Sequence, residues 1–380
     1  MSNNWIEIDQ AALAANYHAL QAAIGDATEI LPVIKSNAYG HGAEACAVTL
    51  VRAGAQWLGV TCASEGARIR QTLTAAGFSN TRILSMCGPL PHDAGALHEH
   101  CVTPTIWTAG HIKSLAANPI PVHVEVDTGM GRQGVRPGAD LAALLDQMHA
   151  AGIALDGIFT HFTSTEDFAS PLTRQQQRRF KQAVAQIRES GLRPAWVHAG
   201  NSSTVDNPAQ ETPWLVPLAA TVGARAMVRP GIALYGYVLP IDGPGTPHVR
   251  PALKPVMTWK AHVLSVSALA PGETVGYNAT FTATAPMRIA LLPVGYADGL
   301  RRELSSTNEK PGGWVMLHGQ RALILGRISM NLTVVDVSAI PSATPGDQAI
   351  LLGEGVTADD HARLARTISY EILCGIHPCG

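Results

Sequence analysis

Ile30-Leu31-Pro32-Val33-Ile34-Lys35-Ser36-Asn37-Ala38-Tyr39-Gly40-His41-Gly42 is the stretch on which the reading of this chain turns. An apolar run of strand length ends in a lysine, and a segment with two glycines then leads into a helical pattern at 43–53. Burying an ammonium is unfavourable, so an amine placed there tends to shed its proton instead. A neutral amine can attack a carbonyl and form a Schiff base. The plain alternative is that Lys35 snorkels from a strand end into water.

Around this stretch a rhythm of short apolar run, turn and helical pattern continues. The runs fall at 31–35, 57–61, 82–86, 102–107, 121–127, 155–161, 195–199 and 225–229, and helical patterns fill the gaps, as at 63–76, 139–151 and 173–190. Strands alternating with helices predict a parallel sheet. Eight of them over roughly 200 residues match a closed β/α barrel; a doubly wound open sheet fits the same rhythm. Beyond Pro240 the turn-rich segment at 242–247 reads as a linker. The β-branched runs that follow, at 257–266, 274–284, 288–293, 315–317, 322–328, 333–337 and 348–352, predict a compact antiparallel β domain closed by one helix at 357–366.

Composition narrows the function class. The chain has 380 residues, 46% hydrophobic and 15% charged, with a formal net charge of −2. That balance suits a soluble globular enzyme and carries no basic excess for nucleic acid. No apolar run approaches the ~20 residues of a membrane helix. The N-terminus lacks the marks of an export signal. Six scattered cysteines without a CxxC pair fit a reduced, cytoplasmic protein.

In a β/α barrel, chemistry gathers at the C-terminal ends of the strands. Lys35 ends the first run, Arg132 follows the fifth, His161 ends the sixth, Asn201 and Ser202 follow the seventh, and Arg229 ends the eighth. Each has a structural reading of its own: a core histidine, a helix cap, half of an ion pair. Together they point into one mouth. Arg229-Pro230-Gly231-Ile232 adds a place where backbone N–H groups can hold a phosphate after the last strand, with hydroxyls available from Ser202 and Tyr39. A Schiff-base lysine beside a phosphate cradle points to pyridoxal 5'-phosphate (PLP). Two other patterns carry less. Gly129-Met130-Gly131-Arg132-Gln133-Gly134 matches GxGxxG, but it is fifth in the series and no helix starts directly after it. His92, His98 and His100 match no zinc spacing and lie in a polar helical stretch.

Val33 to Gly42 resembles the PLP-attachment motif of the alanine racemases. The resemblance extends through Trp5-Ile6-Glu7-Ile8-Asp9, Asp127 to Gly134, Phe159-Thr160-His161-Phe162, His198 to Ser203, Arg229 to Gly236, Gly276 to Thr280, Gly295 to Gly299 and Gly326 to Asn331. It implies an N-terminal (β/α)8 barrel binding PLP at 10–238, and a mostly antiparallel C-terminal β domain at 239–380 joined by 1–9. It also implies a homodimer whose active sites lie between one barrel and the partner's β domain. By the same resemblance Lys35 holds the cofactor and is the base for D-alanine, and Tyr277 from the other subunit is the base for L-alanine. Arg132 and the Met330 N–H take the substrate carboxylate. Arg229 faces the pyridine nitrogen with His161 behind it. Tyr39, Asn201, Ser202, Gly231 and Ile232 line the cofactor.

Racemisation removes a proton from one face of Cα and returns one to the other, so two acid/base groups suffice. An ordinary phenol keeps its proton until about pH 10, so a tyrosine base needs a neighbouring cation, and Arg132 supplies one. Arginine keeps its proton at working pH, so opposite a ring nitrogen it leaves that nitrogen unprotonated and limits side reactions such as transamination.

Three departures stand out. Glu125 occupies the place where relatives often have a carbamylated lysine, and its carboxylate is expected to brace Arg132 directly. Asn331 stands where many relatives have aspartate. Pro378 stands where some have a gate tyrosine. The expected function is interconversion of L- and D-alanine for peptidoglycan synthesis. Alternatives are a serine or broad-range racemase, a non-catalytic PLP carrier, for which a second base has no use, and a decarboxylase, which would place an acid at the pyridine nitrogen.

Overall fold

The computed structural model describes residues 3–167, 170–206, 213–241 and 248–378. The expected linker at 242–247 and the last two residues of the tail lie outside them. The chain divides into two compact units, one of 10–38 and 42–254, the other of 1–9, 39–41 and 255–380. Among the described residues no helix is long and apolar enough to cross a membrane.

Strand β1 (Asn4–Ile8) belongs to the second unit. The next eight build the first: β2 (Thr28–Ile30), β3 (Trp57–Val60), β4 (Arg82–Ser85), β5 (Val102–Ile106), β6 (Val122–Glu125), β7 (Leu155–Phe159), β8 (Trp196–His198) and β9 (Arg225–Val228). They run parallel in the order β2-β9-β8-β7-β6-β5-β4-β3. β3 and β6 are buried at every position, as strands covered on both faces must be. Just past β2 the sheet comes round on itself. The Ile34 N–H donates to the Gly59 carbonyl at 2.8 Å, the Gly59 N–H donates to the Pro32 carbonyl at 2.8 Å, and Val33 bridges Gly59. A Cβ at Gly59 would lie 2.5 Å from Leu31 Cδ2, so a larger residue at the seam would have to displace the Leu31 side chain. Helices cover the outside; in Leu172–Glu189 the buried residues Gln176, Phe180, Ala183, Val184 and Ile187 form one stripe at helical spacing. The barrel read from the sequence is the observed one, with one shift. The first strand is Thr28–Ile30, not 31–35, because Pro32 has no N–H for the ladder, and Leu31 and Val33 instead donate to the carbonyls of Val228 and Pro230.

In the second unit β1 pairs antiparallel with β10 (Met257–His262). The remaining strands are β11 (Ser265–Leu269), β12 (Thr274–Val275), β13 (Phe281–Thr282), β14 (Met287–Leu292), β15 (Trp314–Leu317), β16 (Gln320–Leu325), β17 (Thr333–Asp336) and β18 (Gln348–Leu352). The main sheet runs β1-β10-β18-β15-β16-β17-β14-β11, and β12 and β13 form a separate ribbon. Leu269, Val275, Ala283 and Leu325 are the buried residues of one apolar cluster there. Three expectations are corrected. The run at 257–266 is two strands, because the Val263 N–H bonds to Asp347 and the Leu264 N–H to Leu291, so the chain changes partners. The run at 274–284 is interrupted by the turn Tyr277–Ala279. The closing helix, Ala358–Ala365, is followed by a second, Ser369–Cys374, after Arg366 takes a left-handed φ of 56°.

Candidate active site

At the barrel's C-terminal rim Lys35 is half-buried, beyond the strand rather than in it. The next four residues, Ser36, Asn37, Ala38 and Tyr39, all take left-handed φ of 52° to 55°. Such a turn costs roughly 1–2 kcal/mol per non-glycine residue, so something must hold it. The Ala38 N–H donates to Ile34, the Gly42 N–H to the Asn37 carbonyl, and the Ala43 N–H to Asn37 Oδ1. Glu65, in the first turn of the helix Ala63–Ala75, accepts from the Ser36 N–H at 3.0 Å and from the Thr61 N–H at 2.7 Å. One carboxylate therefore ties the segment after Lys35 to the loop after β3. Sequence reasoning passed over Glu65, whose only mark was an acid in a first helical turn.

Arg229, directly after β9, is buried. It donates from Nη2 to the Thr160 carbonyl at 2.8 Å and from Nη1 to His198 Nδ1 at 3.2 Å, with its guanidinium 4.8 Å from the Phe159 ring centre. His161 Nδ1 lies 3.4 Å from Nη2. Burial lowers the Arg229 pKa to about 10, which leaves it charged at neutral pH. Burial, then the charges of Arg229, Arg132 and Lys35, push His161 down to about 3, so its ring is neutral and can accept. Arg229 Nε is buried and has no hydrogen-bond partner among the described residues. An orphaned donor on an otherwise anchored arginine is the mark of a missing acceptor.

Ser202 Oγ accepts from the N–H groups of Gly231 at 3.0 Å and Ala233 at 3.1 Å, which leaves its own proton to donate. Ile232 opens the 3-10 turn Ile232–Tyr235 above it. Asn201 Oδ1 accepts from the Thr204 N–H and from Thr165 Oγ1, so its oxygen serves as the cap of Ser202–Asp206. Burial raises Glu125 to about 7. Its carboxylate takes a bond from Gln133 Nε2, which also donates to the Met86 carbonyl at 2.9 Å. Arg132 is exposed and forms no bond with Glu125, so the expected brace is corrected: Gln133 occupies the carboxylate, and the two charges meet only through space. Cys87, unmarked by the sequence reading, lies within electrostatic reach of Lys35, Cys62, Glu125 and Arg132.

Glu125 supports a pH prediction. Its carboxyl titrates near 4.5 when unfolded and about 7 when folded, so between those values the folded chain keeps a proton that the unfolded chain has released. Stability from this group is full below 4.5 and lost as pH rises through about 7. Glu125→Gln is expected to remove that loss, a relative gain at pH 8 on the order of 3 kcal/mol. Urea unfolding of both proteins at pH 4.5 and pH 8 checks it; parallel pH dependences would refute it.

Tyr39, Tyr277 and Met330 fall in the second unit. Tyr39 is buried there, 5.9 Å from Tyr370, and burial raises its pKa. Tyr277 is 65% exposed at the apex of a turn formed by Gly276, Asn278 and Ala279, all with positive φ. It lines a cleft of about 580 Å³ with Tyr296, Arg301 and Ile328. Met330, 55% exposed, accepts the Ala297 N–H at 2.9 Å, and a Cβ on Gly295 would collide with its carbonyl at 2.3 Å. The barrel thus gathers Lys35, Arg132, His161, Asn201, Ser202, Arg229, Gly231 and Ile232, while the β unit carries the other three.

Known proteins match both units in order. Residues 8–239 match the family model "Alanine racemase, N-terminal domain" and residues 256–379 "Alanine racemase, C-terminal domain". The alanine racemase of Syntrophobacter fumaroxidans is 36% identical, over 99% of this chain and 96% of that one. The solved alanine racemase of Streptomyces coelicolor A3(2) superposes with a TM-score of 0.83 at 32% identity, covering 99% of this chain and 96% of that one. That of Clostridium difficile 630 gives 0.85 at 27% identity, covering 99% and 94%. With a barrel, a β domain and full-length relatives all in agreement, the chain belongs to the alanine racemase family.

Proposed function

We propose that this chain interconverts L- and D-alanine with pyridoxal 5'-phosphate held in the barrel mouth, and that two copies pair so that each site combines one barrel with Tyr277 of the partner subunit. The orphaned Arg229 Nε carries the reading. An arginine cannot release its proton to make room for another donor, so the group that satisfies Nε must bring an acceptor, as an unprotonated ring nitrogen does. The Ser202 hydroxyl, with the backbone at Gly231 and Ile232, suits the phosphate end. The residues present fit the cofactor.

When bound, the cofactor supplies an electron-withdrawing ring that acidifies the substrate's Cα proton. The chain's own groups do the rest. Lys35 moves the proton on the face used by D-alanine, and Tyr277 of the partner subunit moves it on the face used by L-alanine. Arg132 and the N–H of the partner subunit's Met330 orient the substrate carboxylate. Arg229, charged and anchored, and His161, neutral, keep a proton from being delivered to the ring nitrogen. The exposure of Tyr277 and Met330 favours a site completed by a second copy. The product serves peptidoglycan synthesis in the cytoplasm.

Borohydride reduction of the purified holoenzyme, followed by peptide mapping, is expected to label Lys35; a label on another lysine would overturn the assignment. A coupled D-amino-acid assay across L-alanine, L-serine and larger substrates is expected to give the highest kcat/KM for alanine, which a broad-range racemase would not.

A further inference from the structure

A line of polar side chains runs through the barrel interior, away from the phosphate cradle. Arg229 Nη1 meets His198 Nδ1 at 3.2 Å, and His198 Nε2 meets His123 Nδ1 at 2.9 Å. His123 Nε2 then meets Asp156 Oδ2 at 2.9 Å, and Arg82 Nη2 donates to that same oxygen at 2.8 Å. Both histidines are fully buried, whereas the Arg82 and Asp156 side chains keep 39% and 14% of their exposure. Arg82 opens β4 and Asp156 and His123 lie near the starts of β7 and β6, but His198 ends β8. The line therefore joins the two ends of the barrel.

Its direction is forced. A guanidinium only donates, so His198 must present a bare Nδ1 and carry its proton on Nε2. That proton can be accepted only by a bare Nδ1 on His123, whose own proton then sits on Nε2 and points at Asp156. A carboxylate only accepts, so the chain ends there. The surroundings are built to fit. A Cβ on Gly157 would fall 2.6 Å from the His123 ring, so this strand position is kept open for it. The Arg82 guanidinium lies 4.0 Å from the centre of the Trp57 ring, and that ring stands 5.3 Å from His123. Burial pushes both imidazoles toward the neutral form, and the bonds from His123 and Arg82 hold the Asp156 carboxyl below its usual range against desolvation.

We propose that Asp156 and His123 are positioning residues: the carboxylate at the far end of the barrel fixes the tautomers of His123 and His198, and so holds Arg229 in place as the donor to the cofactor's ring nitrogen. With a neutral amide at 156, a side-chain N–H can face His123 Nε2, the proton order can reverse, and His198 then turns an N–H toward the Arg229 guanidinium. Donor opposes donor, and Arg229 loses the anchor on Nη1.

The part concerning the cofactor rests on the proposed function; the proton order does not. Neutron diffraction from crystals of the unsubstituted holoenzyme is expected to find a proton on Nε2 and none on Nδ1 in both His123 and His198. A proton on either Nδ1 overturns the proposal, whichever amino acid the enzyme racemises. In Asp156→Asn, kcat per bound cofactor for the amino acid racemised is expected to fall about tenfold while KM changes little, the low end of what lost partners of metal-ligating histidines cost. The absorption maximum of the bound cofactor should shift as well. Unchanged kcat per cofactor and an unchanged spectrum, with only stability reduced, would make the line a packing feature and overturn the proposal. Arg82→Gln keeps the terminal carboxylate and is expected to leave the spectrum as it was; a shift as large as that of Asp156→Asn counts against the carboxylate as the determinant. If Asp156→Asn does not fold, the neutron map decides alone.

Discussion

Tyr277→Phe is expected to abolish release of the Cα proton from L-alanine in deuterated water, by about a thousandfold, while D-alanine keeps measurable exchange. A positioned acid/base group contributes roughly a hundred- to ten-thousandfold, and each factor of ten is about 1.4 kcal/mol of barrier, so about 4 kcal/mol is at stake. The substitution removes one hydroxyl from a side chain that is 65% exposed, where fold stability should barely respond. The loss therefore reads as chemistry rather than as unfolding. The asymmetry is the decisive part. With one base missing, the face served by Lys35 can still exchange, whereas a single base shuttling between faces would lose both directions equally. Equal loss from the two enantiomers rules out the pair.

Much of this architecture is legible in the chain because barrels repeat a local signal. Runs such as Trp57–Val60 and Val122–Glu125 are buried along their whole length, the second with His123 and Glu125 among its valines, and the residue that ends each run is at the rim wherever the sheet is parallel. Lys35 and Arg229 could be placed at the rim by that rule alone, and Ser202 just past the end of its run. Other features depend on contacts that no local pattern encodes. Glu65 matters because Ser36, 29 residues away, lends it an N–H. The pairing of His123 with His198 spans 75 residues, and each histidine on its own is only a polar residue in an apolar strand. The brace expected from Glu125 to Arg132 failed for a related reason. A carboxylate and a guanidinium seven positions apart look complementary, but the neighbouring Gln133 folds inward to reach both Glu125 and the Met86 carbonyl. The left-handed turn after Lys35 was hidden too, since Ser36, Asn37 and Ala38 carry no glycine to announce it.

Lys35→Ala is expected to be the mirror of the tyrosine variant, with exchange from D-alanine lost by about a thousandfold or more and some exchange from L-alanine retained when cofactor is supplied in excess. On its own it tests one base. Mixed with Tyr277→Phe it tests the assembly. In a dimer with shared sites, a pair made of one Lys35→Ala chain and one Tyr277→Phe chain has one site lacking both bases and one site with both intact. Random reassortment makes half of all dimers mixed, so refolding or co-expressing two inactive variants should restore about a quarter of the unsubstituted racemase activity. If Lys35 and Tyr277 of the same chain formed a site, every site in every combination would lack one base, and mixing would restore nothing. Recovery near a quarter, rising with neither variant alone, therefore reports which chain supplies the tyrosine. It does so because the barrel carries one base and the exposed turn at Tyr277 carries the other, so two inactive chains can exchange what each lacks.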